Sequence, residues 1–167
     1  KWTAPPRVVN RLHYRMDRAG FKETGYAHLF VVPADGGSAR QLTSGDWSVG
    51  AAFDGLTFGA TWAWLPHGKT LIVEGLNEPN ADVTYRDNYI YAVAVASGAT
   101  KRLTPERGNW AHPIVSPDGS KIAYTGHAYT KQTYRVSDLW VMNADGSGAR
   151  NISGTFDRDI SFFGFGA

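Results

Sequence analysis

The sequence predicts an all-β chain that forms part of a β-propeller, with about three blades of four antiparallel strands. Strand-turn-strand segments with Pro, Asp and Gly at their turns recur along the chain. The copies are spaced close to the ~40–50 residues that a four-stranded propeller blade occupies. Because no stretch shows a convincing helical pattern, we expect no helix.

The clearest unit starts at residue 113. Pro117 presets the backbone φ for a tight turn, Asp118 can cap that turn, and Gly119 is free to adopt a positive φ. Residues 121–125 are short, apolar and partly β-branched, which is typical of a strand. Two more strands, over 138–143 and 149–153, complete a four-stranded antiparallel unit.

The second half of this unit occurs three times. Its copies end at Thr43, Thr104 and Ser153, at spacings of 61 and 49 residues. The first half recurs as well, since residues 64–73 lie 51 residues before residues 115–124. The alignment predicts two sets of equivalent core residues: Leu29, Ile90 and Leu139 on third strands, and Leu42, Leu103 and Ile152 on fourth strands.

The whole chain, 1–167, is predicted to be a single propeller segment. Its first blade is partial: alternating apolar residues over 7–15 predict a half-buried strand, and strands over 28–33 and 39–43 follow a charged loop. The predicted blades span 7–43, 58–104 and 111–153, and residues 159–165 are predicted to be the first strand of a fourth.

The second and third blades each carry an insertion between their second and third strands. The first insertion, 76–87, is polar, and the second, 127–135, contains tyrosines. Both are predicted to project as loops, and the length of the first explains why one repeat spacing exceeds the other.

The ends of the segment leave strands unpaired. An unpaired sheet edge is a template for another strand, so we expect residues 160–165 to pair beside residues 8–14. Three blades close too tight a ring, because propellers have about 4–8 blades. The chain is therefore expected to be a piece of a larger propeller or to self-associate through these edges.

Composition narrows the function classes. The net charge of +2 is too small to argue for nucleic acid or an anionic membrane, and no apolar run approaches the ~20 residues of a membrane span. The chain has no cysteine, which removes disulfides, thiol catalysis and cysteine metal sites. The composition does not distinguish a cytoplasmic from a periplasmic location.

No catalytic, cofactor-binding or metal-binding residue is predicted. The nearest match to a Gly-x-Ser-x-Gly nucleophile elbow, residues 36–40, fails at its last position and lies in a predicted turn. Residues 146–151 begin like a dinucleotide loop but lack the third glycine and the helix, so a hairpin turn is predicted. The five histidines have no metal-ligand spacing: His13, His28, His67, His112 and His127.

Innermost strands line the channel of a propeller, and this gives four candidate channel-lining residues: Trp62, His112, Arg158 and Asp159. The six tryptophans have two interpretations. They can form a ligand platform, or most of them can pack between blades, and packing is the favoured interpretation.

Three segments together resemble a known repeat. The Ser-Pro-Asp-Gly turn at 116–119, Lys-Ile-Ala-Tyr-Thr-Gly at 121–126 and Leu-Trp-Val-Met-Asn-Ala-Asp-Gly at 139–146 are similar to the WD40-like (PD40) repeats of TolB and of prolyl-oligopeptidase propellers. Residues 7–37 and 124–143 also resemble the propeller of bacterial acylaminoacyl-peptidase-type members of the S9 serine peptidases.

The peptidase resemblance implies a non-catalytic segment that gates the access of short peptides to an α/β-hydrolase domain. The partners would then be the peptide substrate and that catalytic domain, whose elbow this sequence lacks. The TolB resemblance implies the alternative, a protein-interaction module whose rim loops bind a partner.

Overall fold

A computed structural model describes residues 3, 5–12, 14–16, 20–21, 25–50, 61–132, 135–156 and 158–160. These residues form strands and turns and contain no helix, which confirms the all-β class. The strands are β1 Arg15–Met16, β2 Gly20–Phe21, β3 Phe30–Val31, β4 Arg40–Gln41, β5 Trp62–Trp64, β6 Thr70–Gly75, β7 Tyr89–Ala94, β8 Thr100–Arg102, β9 Gly108–Val115, β10 Lys121–Ala128, β11 Asp138–Asn143 and β12 Arg150–Asn151.

The strands pair with their neighbours in sequence. Strands β5 to β8 form one four-stranded antiparallel sheet, the middle sheet, and β9 to β12 form another, the C-terminal sheet. Strands β3 and β4 form a two-stranded N-terminal sheet, and β1 pairs with β2. Four-stranded antiparallel meanders stacked face to face are propeller blades, and the predicted fold class is confirmed.

The turn between first and second strands has the same form in both four-stranded sheets. Leu65 N–H donates to the Thr70 carbonyl at 3.0 Å, and Ser116 N–H donates to the Lys121 carbonyl at 2.9 Å. Asp118 accepts hydrogen bonds from the Ser116 and Ser120 hydroxyls, which lower the pKa of its carboxyl to about 2. Asp118 Oδ1 also accepts the Ser120 N–H at 3.0 Å, and the Ser116 hydroxyl accepts the Lys121 N–H at 2.9 Å, so short polar side chains satisfy backbone groups of the turn.

The same pair of hydrogen bonds occurs at the start of the third strand of each of the three repeats. The Leu103 N–H donates to the Ile90 carbonyl at 2.8 Å, and the Thr104 hydroxyl accepts from the Ile90 N–H at 3.0 Å. The same pair of bonds joins Leu29 to Leu42 and Thr43, and Leu139 to Ile152 and Ser153. The three copies align in the register that the repeat spacing predicts.

Glycines allow neighbouring sheets to approach closely. Gly98, in the β7–β8 turn, has φ +73°, and a Cβ there would collide with the carbonyl oxygen of Leu42 beside β4. Gly146, in the β11–β12 turn, has φ +93°, and a Cβ there would lie 2.8 Å from the carbonyl oxygen of Leu103. Each turn therefore packs against the outer strand of the preceding sheet.

Two buried tryptophans fill the space between blades: Trp47 in the link between β4 and β5, and Trp110 near the start of β9. Trp47 packs against Tyr91 of β7 with ring centroids 5.5 Å apart, and Trp110 packs edge-on against Trp140 of β11 at 5.1 Å. Tyr91 and Trp140 occupy equivalent register positions, since they follow Ile90 and Leu139. Burial raises the pKa of Tyr91 to about 12, consistent with its place in the core.

The predicted core residues are not equally buried. Ile90 is 0% exposed, and Leu42 and Leu103 are also buried, whereas Ile152 is 50% exposed. Leu29 and Leu139 are half-buried. Strand alternation puts Ile90 on the face that the C-terminal sheet covers. Leu139 is on the equivalent face of the C-terminal sheet, where the described residues provide no further sheet.

The predicted strand over 7–15 is wrong in most of its length. Residues 7–12 form no strand and are exposed, and only Arg15 enters β1, which pairs with β2 inside the predicted loop. The backbone N–H of Leu12 donates instead to Asp82 of the first insertion at 2.7 Å. Of the predicted strand 159–165, residues 159 and 160 are not in a strand and 161–165 lie outside the described residues.

Trp62 and Trp64 lie on the face of β5 that looks towards the N-terminal sheet. That sheet has two described strands, which cannot cover the inner part of the face, and Trp62 is 57% exposed. The predicted self-association through the unpaired strand edges at the ends of the segment stays a prediction. No helix in the described part of the chain could cross a bilayer.

Candidate loop-face pocket

The two insertions meet at one end of the adjacent four-stranded sheets. Between them lies a pocket of about 580 Å³, which we term the loop-face pocket. Its lining comes from three segments. They are the first insertion, the β8–β9 link (residues 103–110, a term that here includes the start of β9), and the end of β10 with the second insertion. The lining residues are 83–87, 107–109, 127 and 129–132. A volume of this size falls in the ~300–1,000 Å³ range of ligand pockets.

Backbone hydrogen bonds tie the link to both insertions. Tyr129 N–H donates to the Arg107 carbonyl at 2.8 Å, and Asn88 N–H donates to the Gly108 carbonyl at 2.8 Å. Trp110 N–H then donates to the Asn88 carbonyl at 3.0 Å. These backbone hydrogen bonds therefore fix the positions of both insertion loops relative to the link.

Arg107 is the most constrained cation of the loop-face pocket. Its Nε–H donates to Asp87 Oδ2 at 2.7 Å, and its guanidinium lies 3.6 Å from the centroid of the Tyr129 ring. The hydrogen bond to Asp87 raises the pKa of Arg107. The Asp87 side chain is 7% exposed and that of Arg107 is 47% exposed, so the carboxylate is buried beneath a guanidinium that reaches solvent.

The lining carries more positive than negative charge. Its cations are Arg86, Arg107 and Lys131, and its one carboxylate, Asp87, is paired with Arg107. Arg86 lies 5.6 Å from the Tyr85 ring, and within the described ranges neither Arg86 nor Lys131 pairs with a carboxylate. Arg86 and Lys131 therefore give the lining positive charge that no described carboxylate neutralises.

Asn88, which follows the lining residue Asp87 in sequence, is buried, and its side-chain oxygen Oδ1 has no hydrogen-bond partner among the described residues. Buried polar atoms without partners are uncommon and call for a local explanation. Asn88 is not itself a lining residue, and it places a spare acceptor next to Asp87 and the link.

His112, a candidate channel residue, has a strained backbone. It adopts φ 55°, the one positive φ of a non-glycine residue in the described part of the chain, at a bulge where β9 loses register with β10. The buried carboxylate of Glu74 accepts its N–H at 2.9 Å and the Thr61 hydroxyl at 3.2 Å. The His112 ring nitrogen Nδ1 lies 3.0 Å from the Thr125 hydroxyl.

Replacing His112 with glycine and with alanine tests this strain. Both changes remove the Thr125 contact, but only glycine relieves the left-handed backbone, which costs about 1–2 kcal/mol for other residues. We expect His112→Gly to be more stable than His112→Ala by about 1 kcal/mol in urea unfolding. At an ordinary strand position glycine is the less stable of the two, so that order would contradict the strained geometry.

The other channel candidates lie on β5 and after β12. Trp62 is exposed on β5. Arg158 and Asp159 follow β12 and are also exposed, and Asp159 Oδ1 accepts the Ser137 N–H at 3.2 Å. The channel assignment of all four residues stays a prediction.

The described residues contain no group of His, Asp and Glu side chains that could hold a metal ion. Gly36 lies in the turn between β3 and β4, where its N–H donates to the Pro33 carbonyl at 3.0 Å. Gly146 lies in the turn between β11 and β12, as the hairpin prediction requires.

The sequence prediction missed the loop-face pocket and Arg107. It recognised both insertions but assigned no function to the link between them. Their common position, between second and third strands of consecutive blades, was the available signal, because such insertions emerge at the same end of neighbouring sheets.

Comparison with known proteins supports a TolB-like propeller fold. No family model matches the chain. The Tol-Pal system protein TolB of Anaeromyxobacter dehalogenans strain 2CP-C is 32% identical over 99 residues, which cover 59% of this chain and 20% of the relative. The solved structure of a putative TolB from Agrobacterium tumefaciens superposes with a TM-score of 0.51 and 25% identity, over 75% of this chain and 37% of that one.

Two further similarities involve proteins with other names. The uncharacterized peptidase YuxL of Bacillus subtilis is 27% identical over 151 residues, covering 72% of this chain and 22% of the relative. An oligogalacturonate lyase solved with manganese matches with a TM-score of 0.50 and 17% identity, which shows the fold alone. The chain spans about a fifth of the length of the curated relatives it matches.

Proposed function

We propose that this chain is a non-catalytic propeller segment that binds a peptide or protein partner on its insertion-loop face. The observation that carries the proposal is the loop-face pocket, which two insertions and a fixed link build between adjacent sheets. The similarity to TolB supports it, because those relatives are named for a Tol-Pal system and a role in such a system implies partners.

Panning a random peptide library on the purified chain tests this proposal. We expect selected peptides to lose binding when the pocket is obstructed by Val83→Tyr, since Val83 is an exposed lining residue. The matched control is Asp35→Tyr, which adds the same bulk to the β3–β4 turn, away from the pocket. Failure to select any peptide, or equal loss with both variants, would refute the proposal.

A second candidate is the gating propeller of an S9-type peptidase. It is favoured by the match to YuxL, which covers more of this chain than the TolB matches do. In that case the same face would limit peptide access to a separate hydrolase domain. Sequencing the gene on both sides of this segment distinguishes the candidates, because the peptidase requires a Gly-x-Ser-x-Gly elbow followed by Asp and His.

Under either candidate we expect no serine-hydrolase activity from this chain. The partial elbow motif at 36–40 lies across a β-turn and β4, with no helix after it in the described residues. A serine-directed fluorophosphonate should therefore leave the purified chain unlabelled. Labelling abolished by Ser38→Ala would show that this expectation is wrong.

A further inference from the structure

The chemistry of the loop-face pocket indicates what it recognises. We propose that the pocket binds peptides through a carboxylate group and that the Arg107 guanidinium holds that carboxylate. This inference rests on the proposed function and specifies its ligand. It is carried by three observations: the way Arg107 is held, the donors it keeps free and the charge around it.

Arg107 is fixed in place before any ligand arrives. Asp87 accepts from its Nε–H, and the Tyr129 ring covers one face of the guanidinium. The Tyr129 backbone also donates to the Arg107 carbonyl, so side chain and backbone are held by the same loop. A preorganised guanidinium loses little conformational entropy when it binds.

The outer nitrogens of Arg107 remain available. Arginine has five N–H donors, of which Asp87 takes the one on Nε. No described residue accepts from Nη1 or Nη2 of Arg107. Two parallel N–H groups of this kind match the two oxygens of a carboxylate.

Arg102 provides the internal comparison. Its guanidinium also lies over a tyrosine ring, that of Tyr89 at 4.5 Å. Its Nη1–H donates to Glu78 Oε1 at 2.6 Å and its Nη2–H to the Pro105 carbonyl at 3.1 Å. Arg102 is thus occupied at both outer nitrogens and has a structural role, whereas Arg107 keeps both free.

The surrounding charge favours an anion. Because Asp87 and Arg107 neutralise each other, Arg86 and Lys131 leave the lining with a net charge of +2. Partly enclosed sites with one sign of charge attract the opposite sign, and the attraction weakens as salt rises. The polar lining residues Thr84, Asn109 and Gln132 can meet the amide groups of a peptide.

Fluorescence anisotropy with four labelled peptides tests the inference. One has acidic side chains and an amidated C-terminus, one is neutral with a free C-terminal carboxylate, one is neutral and amidated, and one is basic and amidated. We expect at least one of the carboxylate peptides to bind more tightly than the two that lack a carboxylate. The comparison between the first two identifies whether side-chain or C-terminal carboxylates are recognised.

Variants locate the contact. Arg107→Ala should weaken carboxylate binding by about 10- to 100-fold, the loss expected for charge-assisted hydrogen bonds. Because Arg107→Ala leaves Asp87 unpaired, Arg107→Lys is the second variant. Lysine keeps a positive charge beside Asp87 but lacks the two parallel N–H groups of the guanidinium, so Arg107→Lys should still weaken carboxylate binding. Arg150→Ala is the matched control: Arg150 is an exposed arginine on β12 outside the pocket lining, and its removal should leave the affinity unchanged. Circular dichroism verifies that each variant is folded.

The paired change Arg86→Gln with Lys131→Gln should lower the affinity and reduce its salt dependence. Tight binding of the neutral amidated peptide, or carboxylate binding that Arg107→Lys leaves intact, would overturn the inference while the proposed peptide-binding function stands. Absence of binding by all four peptides, together with a failed library selection, would overturn both.

Discussion

Gly98→Ala is expected to destabilise the chain by about 2–5 kcal/mol. Two costs combine. A left-handed φ of +73° costs a non-glycine residue about 1–2 kcal/mol, and the added methyl group would collide with the Leu42 carbonyl across the interface between the N-terminal and middle sheets. Overpacking of this kind typically adds about 1–3 kcal/mol.

Gly68→Ala is the matched control for Gly98→Ala. Gly68 has φ +69°, nearly the same backbone strain, but a Cβ there would have no heavy atom within 4 Å. We therefore expect Gly68→Ala to cost only the ~1–2 kcal/mol of the strained backbone. Chemical denaturation of both variants isolates the contact between sheets, and equal losses would mean that the β7–β8 turn does not pack against Leu42.

The parts of the fold that the sequence predicted are those in which local chemistry and long-range pairing agree. The Asp118-Gly119 turn encodes a hairpin locally, and the spacing from Thr104 to Ser153 sets the register of the outer strands. The structure has both, with Asp118 capping its turn and the two hydroxyls accepting equivalent backbone N–H groups. Repeats therefore carry information about pairing that a single segment lacks.

The prediction of a strand over residues 7–15 is wrong because its local pattern has no matching partner strand. Its apolar residues alternate as in a half-buried strand, but alternation does not reveal whether a partner strand exists. Val8 is 87% exposed, Leu12 donates to Asp82, and Arg11 donates to the Tyr26 hydroxyl at 2.5 Å. Contacts with loops have replaced the predicted sheet pairing.

The loop-face pocket could not be predicted because it depends on three segments that meet only in the folded chain. Arg107 and Arg102 look alike in sequence, five residues apart. Only their partners separate them: Glu78 and the Pro105 carbonyl occupy the outer nitrogens of Arg102, while Asp87 leaves those of Arg107 free. Sequence position gives no information on which nitrogens a carboxylate occupies.

Ile90→Ala is the second substitution with a large expected effect. Ile90 is 0% exposed and faces the C-terminal sheet, so truncating it removes buried apolar contacts and leaves a cavity between two blades. We expect a loss of about 2–5 kcal/mol in chemical denaturation, the range for such substitutions in a closed core.

Leu139→Ala is the comparison that makes this result informative. The repeat spacing treats Leu139 and Ile90 as equivalent, and a fully buried Leu139 would lose as much on truncation. Because Leu139 is half-buried on a face that no described sheet covers, we expect a smaller loss of about 1–2 kcal/mol. Equal losses at the two positions would show that this face is covered in solution, and a concentration-dependent loss at Leu139 alone would identify a second copy of the chain as its cover.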